Sequence, residues 1–77
     1  MPTVLRIGPY RFYFYGIDRV EPRHVHVTGP GASAKFWLDE VRLARNDGYN
    51  LKELRRVQRL VEEHRQELSD AWDEFFA

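Results

Sequence analysis

Apolar and polar residues alternate in short runs over the first 45 positions and then switch to a spacing of three or four. Alternation is the signature of strands, whose successive side chains point to opposite faces, and the longer spacing is that of a helix. TVLRI is separated from YRFYFYG by Gly8-Pro9, and HVHV from SAKFWLD by Thr28-Gly29-Pro30-Gly31, which are hairpin-type breaks. The segment from Asp39 to Arg45 reads as a fifth short strand or a helical turn, with the strand favoured, and Asn46-Asp47-Gly48 closes it as a turn. Asn50 followed by Glu53 has the spacing of a capping box and sets the helix start at Leu51. From there Leu54, Val57, Val61, His64, Leu68, Trp72 and Phe75 form one apolar stripe. The expectation is an α+β fold: a small antiparallel sheet of four or five strands (about 3-45), packed on one face by a long C-terminal helix (about 51-76), in a single domain spanning 1-77.

Strand parity divides the sheet residues into two sets. Phe12, Phe14, Val25, Val27, Ala34, Phe36 and Leu38 share the parity expected to pack under the helix. The other face then collects Arg11, Tyr13, Tyr15, His24, His26, Lys35 and Trp37. Aromatic rings stack on nucleic-acid bases for roughly 1–3 kcal/mol each, and cations meet phosphates, so this face suits RNA. The plain alternative is that Tyr and Trp are good strand formers that cover an open sheet face or a homodimer interface.

Charge alters this picture locally. The chain has 12 basic and 12 acidic residues and no net charge. Yet Arg6, Arg11, Arg19, Arg23 and Lys35 outnumber Asp18 and Glu21 in the first 38 residues, and residues beyond Arg59 are mainly acidic. Lys52, Arg55, Arg56 and Arg59 cluster on the first turns of the helix, where positive charge opposes the macrodipole. Helix stability therefore does not account for them, whereas contact with an acidic partner does; pairing of Arg59 with Glu62 or Glu63 is the ordinary alternative. The 77 residues include no cysteine, which removes disulfides and thiolate metal sites. Arg6 and the lack of a long apolar run in MPTVLRIG argue against a signal peptide or membrane span, so a cytoplasmic chain is expected.

The candidate chemistry lies in His24 and His26. As acid and base they could share the two proton transfers of metal-independent RNA cleavage, in which the ribose 2′-hydroxyl is the nucleophile and Arg23 or Lys35 stabilises the phosphorane-like charge. As ligands they offer two imidazoles to zinc, with Asp39 or Asp18 as third donor. No matching third and fourth ligand is evident from spacing, so neither a metal nor another cofactor is assigned. They could also only position a partner, or be two surface histidines. His64, on the apolar stripe, reads as a core-edge residue.

MPTV, RFYFYG, PRHVHV, AKFWLD and LKELRRVQRLVEEHRQELSDAWDEFF occur in an order that resembles domain-of-unknown-function family 4160 across essentially the whole chain. The family's usual histidine segment has two prolines before the first histidine, whereas Arg23 here follows Pro22. The resemblance implies a compact sheet with a C-terminal helix, a small partner encoded nearby and a place in bacterial toxin-antitoxin pairs; it supplies no catalytic mechanism. The combined expectation is a toxin-like component acting on RNA, with His24 and His26 as acid and base and Arg11, Tyr13, Tyr15, Arg23, Lys35 and Trp37 binding nucleic acid. The other class is a non-catalytic interaction module whose Lys52, Arg55, Arg56 and Arg59 face binds a cognate, antitoxin-like small protein.

Overall fold

A computed structural model describes residues 3–77; Met1 and Pro2 of the MPTV segment lie outside the described residues. Five strands, β1 (Thr3–Ile7), β2 (Tyr10–Tyr13), β3 (His24–Thr28), β4 (Ser33–Trp37) and β5 (Arg42–Asp47), form one antiparallel sheet in the order β1-β2-β3-β4-β5. Consecutive strands are neighbours throughout, the simplest way to join antiparallel strands by short turns. The fifth segment is a strand, as favoured from sequence, but it begins at Arg42 and continues through Asn46 and Asp47. The turn follows it instead: the Asn46 side chain accepts from the Tyr49 N–H (3.1 Å) and donates to the Tyr49 carbonyl (2.9 Å).

The inward strand residues are those that alternation selects. Phe12, Phe14, Val25, Val27, Phe36 and Leu38 are fully buried and pack with Val57, Val61 and Leu68 from the helical layer. Leucine, phenylalanine and valine side chains buried this way each contribute about 1.5–3 kcal/mol relative to exposure. At Gly29 the backbone has φ +104°, and a Cβ there would lie 2.5 Å from the Pro9 carbonyl oxygen, so the β3–β4 turn needs glycine.

The helical layer corrects the expectation of one uninterrupted helix. It consists of α1 (Leu51–Glu63) and α2 (Arg65–Phe75), joined at His64 with φ −110° and ψ 17°. The His64 ring Nδ1 lies 2.9 Å from the Leu60 carbonyl, the same acceptor that takes the His64 backbone N–H at 3.1 Å. This side-chain competition for a carbonyl one turn back bends helices. Just beyond the break, Arg65 donates to the Leu38 (2.7 Å) and Asp39 (2.5 Å) carbonyls, tying α2 to the loop after β4.

The helix start is as expected at Leu51, with the Asn50 side chain accepting the Glu53 N–H at 2.9 Å. The reciprocal half of the capping box is diverted, because the Glu53 carboxylate accepts a hydrogen bond from the Tyr10 hydroxyl. Among the described residues no helix is long and apolar enough to cross a membrane.

Candidate functional site: a buried aspartate-histidine cluster beside an aromatic groove

Cross-strand register assembles the outer sheet face into rows. Tyr13 lies opposite His26, His26 opposite Lys35, and Lys35 opposite Arg45. The next row pairs His24 with Trp37 and Trp37 with Arg42. A shallow groove of about 450 Å³ runs over the first row, lined by Tyr13, Tyr15, His26, Lys35, Trp37 and Arg45 among others. Its floor is already packed: Tyr13 stacks on His26 at 5.5 Å between ring centroids, Tyr15 meets the His26 edge at 4.7 Å, and the Lys35 ammonium sits 4.8 Å above Trp37.

A feature with no separate signal in the alternation closes one end of this face. After β2 the chain makes a 3-10 turn, Gly16–Val20, held by two reciprocal bonds: the Asp18 N–H donates to the Tyr15 carbonyl (3.0 Å), and the Asp18 carboxylate accepts the Tyr15 N–H (2.7 Å). The turn carries Asp18 back over β3. Its Oδ2 lies 3.0 Å from His26 Nε2 and its Oδ1 lies 3.1 Å from His24 Nε2. One carboxylate, 7% exposed, thus faces both imidazoles.

The two histidines share a strand face but not an environment. The His24 side chain has no exposed surface, while that of His26 is 18% exposed at the groove. Rings of Trp37 (5.6 Å) and Trp72 (5.0 Å) enclose His24, and its Nδ1 lies 2.8 Å from the Pro22 carbonyl. A carbonyl only accepts, so His24 Nδ1 carries a proton. Nε2 is then left buried with no hydrogen bond of acceptable geometry. For His26, the carboxylate at Nε2 selects a proton on that nitrogen and leaves Nδ1 as the ring's lone-pair atom.

Electrostatics follow from this placement. Burial pushes the Asp18 carboxyl up, but the Tyr15 N–H, together with the neighbouring imidazoles when they carry positive charge, outweighs it and holds it below the usual carboxylate range. Burial lowers His26 from its ordinary value, and proximity to Asp18 only partly offsets the shift. Glu21 is held down by the Lys35 ammonium, 2.6 Å away.

Of the residues singled out from sequence, Arg11, Tyr13, Tyr15, His26, Lys35 and Trp37 come together on the outer face, with Arg11 5.5 Å over the Tyr13 ring. Arg23 does not join them: it bonds Asp73 on α2 (2.6 Å) and approaches Asp39 (3.5 Å). Asp39 is thereby committed elsewhere, and Asp18 alone of the two proposed third donors reaches the histidines. Lys52, Arg55, Arg56 and Arg59 line, with exposed Leu51, a depression of about 470 Å³ on α1. Among the described residues Lys52, Arg55 and Arg59 have no carboxylate within 4.0 Å, and Arg56 has Glu53 at 3.9 Å.

No curated protein and no solved structure matches the chain. The model of a protein family described as a domain of unknown function, DUF4160, matches residues 10–73. Covering both the histidine strand and most of the helical layer, that match identifies the chain as a member of the DUF4160 family.

Proposed function

We propose that the chain is the toxin-like component of a bacterial toxin-antitoxin pair that cleaves RNA without a metal, with proton transfer assigned to His26. The observation that carries this reading is the asymmetry of the His26 ring: Nε2 is anchored on Asp18 at 3.0 Å, while the half-buried ring lines the groove and its Nδ1 makes no bond to another described residue. In transesterification Nδ1 takes the proton of the 2′-hydroxyl as that oxygen attacks phosphorus, and the bond to the 5′-oxygen breaks. Tyr15, whose phenol is protonated at neutral pH and whose ring is 4.7 Å from that of His26, returns a proton to the leaving oxygen. Lys35 and Arg45, next in the same cross-strand row, supply positive charge for the phosphoryl oxygens. Asp18 and His24 act as positioning residues, since His24 is sealed from any substrate.

Purified protein in EDTA is expected to cleave single-stranded RNA to products ending in a 2′,3′-cyclic phosphate, and His26→Ala to lose at least a hundredfold in rate. Absence of cleavage by the wild type, or an unchanged rate in His26→Ala, overturns the reading. A second reading is favoured by the α1 ridge, whose Lys52, Arg55 and Arg59 have, among the described residues, no carboxylate within 4.0 Å: an acidic segment of a cognate small protein docks there. Replacing these three by glutamate is then expected to abolish rescue by the small protein encoded beside it while leaving growth arrest intact.

A further inference from the structure

We propose that Asp18, His24 and His26 form a binding site for a divalent transition-metal ion of the zinc class. The donors are the Asp18 carboxylate and the Nε2 atoms of both imidazoles, which all lie within 4.8 Å of one another. The ligand chemistry is that of zinc, which takes imidazole nitrogen and carboxylate oxygen at about 2.0–2.2 Å, so that neighbouring donors sit about 3.3 Å apart. The carboxylate oxygens are already 3.0 Å and 3.1 Å from the two Nε2 atoms.

The independent sign of a ligand is the state of His24. In the neutral ring, with Nδ1–H committed to the Pro22 carbonyl at 2.8 Å, the Nε2 lone pair is fully buried and faces another acceptor, Asp18 Oδ1. A buried lone pair facing a carboxylate oxygen is unfavourable without a shared positive centre, because an acceptor cut off from water is left unpartnered. A cation between them satisfies both. The backbone carbonyl behind the ring is also the usual outer partner of a metal-bound histidine, where it fixes tautomer and orientation. His26, at the rim of the groove, provides the way in for the ion.

Occupancy would reverse the proton arrangement of His26. Without metal, Nε2–H donates to Asp18 and Nδ1 offers a lone pair to the groove; with metal, Nε2 binds the ion and the ring proton moves to Nδ1. The ring proton is conserved in this exchange, but the groove-facing nitrogen changes from acceptor to donor. The binding itself stands apart from the proposed ribonuclease role. The regulatory consequence, that zinc inhibits cleavage, rests on that role.

Titration of EDTA-treated, untagged protein with zinc chloride tests the site by calorimetry and by long-range proton-nitrogen NMR of the imidazoles. Expected are one zinc per chain, a rise in melting temperature, and a change of His26 from the Nε2–H to the Nδ1–H form. His26→Gln and Asp18→Asn are expected to weaken binding at least tenfold, while magnesium, which prefers oxygen ligands, leaves all three readouts unchanged. No saturable zinc binding by the wild type, or binding of undiminished strength in both variants, overturns the site. RNA cleavage in EDTA is measured in parallel, so cleavage without zinc binding removes the metal site alone, and zinc binding without cleavage removes the ribonuclease role alone. If both hold, one equivalent of zinc is expected to slow cleavage at least tenfold, and an equal or faster rate refutes the inhibitory switch.

Discussion

Removing the Asp18 carboxylate is expected to destabilise the fold through one side chain that faces three groups. In Asp18→Ala the Tyr15 N–H loses an acceptor at 2.7 Å, which is one of the two bonds closing the 3-10 turn, and His26 Nε2 loses one at 3.0 Å. Hydrogen bonds to a charged group contribute about 1.5–3 kcal/mol each, but His26 is partly exposed and recovers some of its loss from water. The net expectation is about 2–4 kcal/mol. For a domain of this size that lowers the melting temperature by roughly 10–25 °C. Asp18→Asn should cost less, about 1–2 kcal/mol, because the amide oxygen still accepts from Tyr15 and its NH2 can donate to the open His24 Nε2. Urea unfolding followed by tryptophan fluorescence reports on the region directly, since Trp37 and Trp72 both lie against His24. An Asp18→Ala protein within about 0.5 kcal/mol of wild type would refute the claim that this carboxylate holds the cluster together, given that surface changes fall within that range.

Phe36→Ala removes a fully buried ring from β4 and is expected to cost about 3–5 kcal/mol in chemical denaturation. Arg23→Ala breaks exposed ion pairs to Asp73 and Asp39 and should leave the denaturation midpoint almost unchanged, with any effect shrinking further in high salt. Burial pushes the Tyr49 phenol up to about 12 from 10.0, and its hydroxyl donates to the Gly29 carbonyl. Both states hold a neutral phenol below pH 10, so the stability is fully present there; between pH 10 and 12 the unfolded chain ionises first and up to about 2–3 kcal/mol is lost. Alkaline titration followed by circular dichroism checks this, and Tyr49→Phe should flatten the dependence over that window.

The strand parity of PRHVHV was legible because a period of two leaves no freedom: once Val25 and Val27 enter the core, His24 and His26 must emerge on the opposite face. The helix start was legible for the same kind of local reason, the Asn50 cap being a contact between residues three apart. The kink at His64 was not, since helical spacing continues across it and the ring's bond to the Leu60 carbonyl leaves no mark on the apolar stripe. Outward parity also failed to reveal exposure. His24 is on the outer face by register yet sealed, because the turn at Gly16–Val20 and the tryptophans from β4 and α2 close over it.

The site divides along the same line. By itself the sequence determined the fold class, four of the short strands with a fifth favoured over a helical turn, the inward set of apolar residues and the aromatic, basic, histidine-bearing character of the outer face, because periodicity and capping act between near neighbours. Only the tertiary structure decided that Asp18 rather than Asp39 meets the histidines, that Arg23 turns to Asp73, and that His24 and His26 differ in burial. Those outcomes depend on where a five-residue turn folds back and how a bent helical layer closes the sheet end. Such contacts join residues up to 50 positions apart, as between Arg23 and Asp73, and no local pattern encodes which of several carboxylates will arrive.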